Sequence, residues 1–290
     1  MATRILVTGA TGLVGGAIAT QLAAARVSVR ALVRNPDKSG GLRKAGVEIA
    51  IGDLEKPHTL GGALDGIEKV VLLSSPDPQQ VELQGNMVDE ARRAGVRHVV
   101  KISVVGAGPQ SPASLGRWHH QTEKAVEASG MAWTHLRPHS FMQNFLMSVA
   151  TIGKEGRIYG CMRDGRAPFV DVRDIAAVAV GVLTRPGHEA KAYEVTGPEA
   201  LTMAQAAAVI AAAAGRPVAY ADLPPAEFKG ALLGAGLPEW LANDLVALQT
   251  QFARGVGTGV TDVVLKIAGR PATTLQQFAR EQRAAFAGRG

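Results

Sequence analysis

Three glycines near the start of the chain have the spacing that phosphate binding requires. Gly9, Gly12 and Gly15 directly follow the apolar run 4–8, and a helical pattern begins at about Leu13. A phosphate can approach such a strand-to-helix turn only where side chains are absent, and the free N–H groups of the helix attract its charge. A glycine-rich turn without a ligand is the alternative, but the strand and helix around it favour dinucleotide binding. The residues expected to contact the dinucleotide are Gly9, Thr11, Gly12, Leu13, Val14 and Gly15.

A basic residue stands where NAD-binding domains usually carry an acid. Arg34 ends the second apolar run, about 20 residues beyond the glycine loop, and Lys38 follows it. A guanidinium matches the charge and geometry of a 2′-phosphate, and no acid stands beside it at the strand tip. The pair therefore favours NADP(H), whereas a solvated surface arginine would leave the preference undecided.

Two serines follow the fourth apolar run. Ser74 and Ser75 come directly after residues 69–73. In open sheets of parallel strands, ligands bind outside the carboxyl ends of the strands. We therefore expect both serines to lie along the cofactor.

Apolar runs alternate with helical stretches over the first half of the chain, as repeated βαβ units do. Strands are predicted over 4–8, 27–33, 47–51, 69–73, 98–103 and 131–137. Helices are predicted over 13–25, 59–64, 80–94 and 115–129. This pattern predicts an α/β fold with a Rossmann-type, doubly wound parallel sheet.

The alternation loosens after about residue 150. Short strand-like pieces near 157–161 and 167–170 are followed by a predicted helix over 171–183 and a predicted strand over 192–196. The remainder is mostly helical. We interpret residues 1–150, rejoined by about 171–198, as a dinucleotide-binding domain, and 151–170 and 199–290 as a smaller, mostly helical substrate lobe.

Several motifs together resemble a known family. The spacing Gly-x-x-Gly-x-x-Gly is similar to that of extended and atypical short-chain dehydrogenase/reductases. His119-x-x-x-Glu123, Ser129-Gly130 and Leu136-Arg137-Pro138 resemble the NmrA-like atypical group, and most closely the type 2 NAD(P)H:quinone oxidoreductases, with triphenylmethane-dye reductases nearby. The likeness covers most of the chain and is specific from residue 4 to about 200.

The resemblance also shows what the chain lacks. Most short-chain reductases carry Tyr-x-x-x-Lys on the helix after the fifth strand, and here Leu115 and His119 occupy those two positions. The usual proton transfer to an alkoxide is therefore missing. Reduction of a quinone leaves a phenolate, whose conjugate acid has a pKa near ~10, so a dedicated donor is less necessary. His119 is a candidate either for orienting the cofactor or for donating a proton.

Further cofactor contacts are implied by the resemblance. Asp53 and Leu54 resemble the family's adenine-side Asp-Leu pair, with a helix-capping aspartate as the alternative. Ser103 matches the usual reductase serine, although it could equally be a strand-end hydrogen bonder. Pro138 follows the sixth strand near the expected nicotinamide.

An acceptor pocket is predicted beyond the sixth strand. Phe141, Met142 and Phe145 place apolar groups on one side of a short helix. Such groups suit a flat conjugated acceptor, while a packed core is the alternative, above all for Phe145.

The composition limits the other classes of function. The net charge is +6, but the basic residues are scattered, so nucleic-acid binding is not expected. Cys161 is the only cysteine, which excludes an internal disulfide and fits a cytoplasmic location. No signal peptide, membrane span or metal-ligand spacing is expected, and the oligomeric state cannot be read from the sequence.

Two functions remain after these exclusions. The first is an NADPH-dependent oxidoreductase that passes hydride to a quinone-like or other conjugated small-molecule acceptor without the Tyr–Lys pair. The second is a redox sensor, because the NmrA-like group also contains proteins that bind the dinucleotide without turning it over. An epimerase or dehydratase is disfavoured because it needs the absent pair.

Overall fold

A single parallel sheet of seven strands organises the computed structural model, which describes residues 4–288. In space the strands follow the order β3-β2-β1-β4-β5-β6-β9, and every pairing is parallel. Their bounds are β1 Arg4–Val7, β2 Ser28–Val33, β3 Glu48–Ile51, β4 Lys69–Leu72, β5 His98–Ile102, β6 Ala132–Pro138 and β9 Lys191–Val195. The predicted doubly wound fold is confirmed, and each of these strands lies within one residue of its predicted bounds.

Helices cover both faces of this sheet. Those between the strands are α1 Leu13–Ala24, α2 Gly40–Lys44, α3 Gly61–Leu64, α4 Gln80–Arg93, α5 Ser114–Ala128 and α7 Val172–Thr184. One buried cluster joins the strands to α1 and α7, and another joins them to α3, α4 and α5. The predicted helix over 171–183 is confirmed, and the Asp171 carboxylate caps it by accepting the Arg173 N–H.

A second core lies beside the sheet. Its elements are α6 Val149–Glu155, β7 Arg157–Gly160, β8 Arg166–Ala167, β10 Leu201–Thr202, α8 Met203–Ala214, β11 Ala219–Asp222, α9 Pro225–Gly234, α10 Glu239–Ala253, α11 Leu275–Glu281 and α12 Arg283–Phe286. Short 3-10 helices cover Pro36–Ser39, Pro57–Thr59 and Met142–Ser148, and a π-helix covers Val264–Ala268. Strands β7 and β11 pair in parallel, and β8 and β10 pair antiparallel.

Two features are absent from the described residues. Within 4–288, no helix is long and apolar enough to cross a membrane. Over the same residues, no group of three or more histidine, cysteine or acidic side chains is arranged to hold a metal ion.

Candidate functional site

The glycine loop closes tightly between β1 and α1. Gly9 adopts a φ of +56°, and its carbonyl oxygen accepts the Gly12 N–H at 3.0 Å. A Cβ on Gly15 would lie 2.4 Å from the Gly9 oxygen, so the helix can approach the strand only because residue 15 has no side chain. No side chain caps the N-terminus of α1, which leaves its first N–H groups available to an anion.

A cleft of about 430 Å³ opens from this loop along the carboxyl ends of the strands. Twelve of the predicted site residues line it: Gly9, Thr11, Gly12, Leu13, Val14, Gly15, Arg34, Asp53, Leu54, Ser74, Ser75 and Phe141. Six others do not line it: Lys38, Ser103, His119, Pro138, Met142 and Phe145. The chain therefore brings together residues that follow five strands, β1, β2, β3, β4 and β6, in one groove.

At one end of the cleft, the Arg34 side chain lies near an acidic side chain. Its guanidinium lies 4.0 Å from the Glu55 carboxylate, and both side chains are more than half exposed. Glu55 also lines the cleft, although it follows a different strand from Arg34. Lys38 lies in the adjoining 3-10 helix, exposed and outside the groove. A 2′-phosphate at this end of the cleft would therefore compete with the Glu55 carboxylate for the Arg34 guanidinium.

The middle of the cleft is formed by the ends of β3 and β4. Asp53 accepts the Glu55 N–H at 3.2 Å, so its carboxylate orders a turn while it lines the cleft. Ser74 accepts a hydrogen bond from Gln84 of α4 at 2.8 Å. These contacts hold the polar wall in place before any ligand binds.

A layer of polar side chains lies between β5, β6 and α5. Arg137 donates to both carboxylate oxygens of the buried Glu123, at 2.9 and 2.6 Å, which ties α5 to β6. His119, one turn earlier on α5, has its Nδ1 2.9 Å from the Nζ of Lys101. The His-x-x-x-Glu motif and the arginine after Leu136 thus belong to one structural unit.

Burial controls the protonation of this layer. It lowers the pKa of Lys101 to about 7, against the opposing charge of Glu123. Burial, reinforced by Lys101, holds the pKa of His119 well below its usual value. Burial alone would raise the pKa of Glu123, but the hydrogen bonds from Arg137 outweigh it and keep that pKa low. His119 is therefore a neutral imidazole beside a base that titrates near neutrality.

Residues at the ends of β5 and β6 are buried. Ser103 is buried at the end of β5 beside Glu123, whose pKa its hydroxyl helps to lower. Pro138 is also buried, and His139 after it donates from Nε2 to the Gly257 carbonyl at 2.9 Å.

The three residues predicted to form the acceptor pocket do not all line the cleft. Phe141 is half-buried and lines the cleft. Met142 and Phe145 are buried in the second core, where Phe145 meets the Phe169 ring edge-on at 4.9 Å between centroids. Of the three residues predicted to line an acceptor pocket, only Phe141 therefore lines the cleft. Met142 and Phe145 are part of the second core.

The N-terminus of α5 is capped from a distant helix. Both carboxylate oxygens of Asp244, on α10, accept backbone N–H groups, from Ser114 and from Leu115, each at 2.7 Å. Trp118 and Trp240 pack beside this contact, with ring centroids 5.4 Å apart. The second core thus fixes the helix that carries His119.

Sequence reasoning missed Lys101, Glu55 and Asp244. Lys101 sits in an otherwise apolar strand, where a lone basic residue is the available signal, because lysine is almost never fully buried without a partner. Glu55 and Asp244 act on residues elsewhere in the chain, and nothing in their local spacing marks them.

The residues present fit a dinucleotide. The glycine loop leaves a space that a Cβ would fill, and the helix N-terminus above it is uncapped. Fold and site together define a Rossmann-type dinucleotide-binding protein.

The chain belongs to the NmrA-like family, whose model matches residues 1–269. It is 43% identical to the NAD(P)H azoreductase of Xenophilus azovorans, over 97% of this chain and 99% of that protein. It is 33% identical to quinone oxidoreductase 2 of Escherichia coli, over 94% and 96% of the two chains.

Solved structures agree with this membership. The NADPH complex of an NADPH-dependent quinone oxidoreductase from Escherichia coli has a TM-score of 0.87 and 32% identity, covering 96% of this chain and 99% of that one. The triphenylmethane reductase of Citrobacter, complexed with NADP(H), has a TM-score of 0.85 and 28% identity, covering 97% and 99%.

Proposed function

We propose that the chain is an NADPH-dependent oxidoreductase that passes hydride to a quinone-like, azo or other conjugated acceptor. The observation that carries this proposal is the cleft itself, which runs from the glycine loop past Arg34 to Ser74, Ser75 and Phe141. Relatives named as an azoreductase and a quinone oxidoreductase, each matched over nearly the whole chain, support the acceptor class. The NADPH complex of the Escherichia coli enzyme supports the cofactor.

Different residues of the cleft bind different parts of the cofactor and the acceptor. The N–H groups of the glycine loop hold the phosphates, and Arg34 holds the 2′-phosphate. Phe141 offers an apolar wall against which a flat acceptor stacks. We assign the acceptor side to the second core, whose helix α10 fixes α5 through Asp244.

A bound nicotinamide supplies the hydride, and the protein holds the acceptor at reacting distance. The chain has Leu115 and His119 where ordinary reductases have tyrosine and lysine. Reduction of a quinone forms a weakly basic phenolate, which can take its proton from water. An azo acceptor forms a more basic nitrogen anion, so its reduction depends more strongly on a nearby N–H donor such as His119.

The test is NADPH consumption with four acceptors in parallel: a quinone, an azo dye, a cationic triphenylmethane dye and an aryl ketone. We expect turnover with the first three and little with the ketone, whose alkoxide product needs the missing proton donor. Binding of NADPH is measured separately by its fluorescence.

Two outcomes would contradict the proposal. NADPH binding without turnover of any acceptor would favour the redox sensor, which should also bind NADP+ and NADPH with different affinities. Reduction of the ketone as fast as the quinone would indicate an ordinary reductase with an unrecognised proton donor.

A further inference from the structure

A lysine lies buried beside His119, and no carboxylate of residues 4–288 is bonded to it. Lys101 is 0% exposed, and its Nζ donates to the Ile102 carbonyl at 2.5 Å and lies 2.9 Å from the His119 Nδ1. A buried ammonium is costly unless it is paired. Lys101 lies in a strand whose other residues are mostly apolar. We therefore expect this lysine to have a role other than stabilising the fold.

The acidic side chains near Lys101 are paired with other groups, so the His119 imidazole is the side chain that pairs with this lysine. Side chains alternate across β5, so Lys101 shares the face of Val99, which packs in the core on the α5 side. Glu123, the acid on that face of α5, has both oxygens occupied by Arg137. His135, on β6, is paired with Glu127.

This contact fixes the position of the histidine proton. While Lys101 is an ammonium, below its pKa of about 7, it can only donate, so Nδ1 accepts and the single proton of the neutral ring is at Nε2. Among residues 4–288 no group forms a hydrogen bond with Nε2 of His119, while Nδ1 is bonded to Lys101. The imidazole therefore has one occupied nitrogen and one free N–H.

We propose that Lys101 is a positioning residue that holds the His119 imidazole with its Nε2–H toward the acceptor, where it hydrogen-bonds the anion formed when hydride arrives. The inference rests on the proposed function, because it assigns the free N–H to that reaction. Lys101 itself touches neither acceptor nor cofactor and acts through His119.

Nitrogen NMR of the protein labelled with ¹⁵N-histidine tests the positioning directly. We expect the wild type to show the Nε2–H tautomer of His119 at about pH 6, where Lys101 is protonated. Lys101→Met should give mixed tautomers and a higher His119 pKa, because the neighbouring positive charge is lost. Lys124→Met is the control, since that lysine is exposed and paired with Glu127.

The wild-type spectrum alone can overturn the inference. An Nδ1–H tautomer in the wild type at about pH 6 would exclude it even if Lys101→Met does not fold. An unchanged tautomer and pKa in a folded Lys101→Met variant would also exclude it.

Kinetics supply the second measurement. Lys101→Met should lower kcat with the azo dye about tenfold while leaving the KM for NADPH unchanged. His119→Gln, whose amide reaches the Nε2 position, should retain more activity than His119→Asn, and the reverse order would contradict the proposal. If the wild type reduces no acceptor, the proposed function fails, while the spectrum still decides whether Lys101 positions His119.

Discussion

At the scale of single residues, our proposal assigns the choice of cofactor to Arg34. Its guanidinium lines the cleft, and among residues 4–288 its nearest charged partner is Glu55 at 4.0 Å. Arg34→Ala should raise the Kd for NADPH about tenfold, because a charge-assisted hydrogen bond to phosphate is lost, and should change the Kd for NADH by less than about twofold. Fluorescence titration with both cofactors measures this difference.

Lys38 provides the matched control for that substitution. It carries the same charge four residues further on, but it is exposed and lies outside the cleft. Lys38→Ala should leave both dissociation constants nearly unchanged. Equal losses of NADPH and NADH affinity in Arg34→Ala would show that the arginine does not recognise the 2′-phosphate.

At the scale of elements, the packing of α1 against β1 depends on Gly15. Gly15→Ala would push a Cβ to 2.4 Å from the Gly9 carbonyl oxygen, which is rigid backbone. We expect a loss of about 1–3 kcal/mol in the free energy of unfolding together with loss of NADPH binding. Gly85→Ala, in the middle of α4 with open space around it, should instead gain about 0.5–1 kcal/mol. Urea unfolding measures the change in the free energy of unfolding for both variants. Equal changes would mean that helix propensity, and not the contact with the Gly9 carbonyl, determines the effect of the substitution.

The contact between α10 and α5 is a second element-scale feature that can be tested. Asp244→Ala removes the acceptor of two backbone N–H groups at the start of α5, so the free energy of unfolding should fall by about 1–2 kcal/mol. Asp262→Ala is the control, because that exposed aspartate only pairs with Lys266 on the surface and should cost less than about 0.5 kcal/mol. Thermal unfolding that does not separate the two variants would contradict the capping role.

What the sequence could predict follows from how local each signal is. The strands and the glycine loop were predictable because apolar runs and Gly9, Gly12 and Gly15 are read within a few neighbouring residues. The contact from Asp244 to Ser114 spans 130 residues, so no local spacing reveals it. The burial of Met142 and Phe145 likewise depends on the second core, whose packing the first half of the chain does not specify.

At the scale of the whole molecule, His139 joins the sheet to the second core. Its Nε2 donates to Gly257, and its Nδ1 accepts the Ser140 N–H at 2.8 Å. The ring also packs against Phe252 of α10, with centroids 4.9 Å apart. Protonation of Nδ1 would place a hydrogen against another N–H group, so this junction requires a neutral imidazole.

This requirement predicts sensitivity to acid. Burial lowers the pKa of His139 from 6.5 to about 4 in the folded chain, so the unfolded chain binds more protons between these values. His139 should therefore lower the free energy of unfolding by up to about 1.4 kcal/mol per pH unit as the pH drops from 6.5 to 4, in addition to His98, whose pKa burial also lowers to about 4. His139→Gln should make that slope shallower in urea unfolding, whereas His58→Gln, at an exposed position, should leave it as in the wild type. Parallel slopes for wild type and His139→Gln would show that the junction does not titrate.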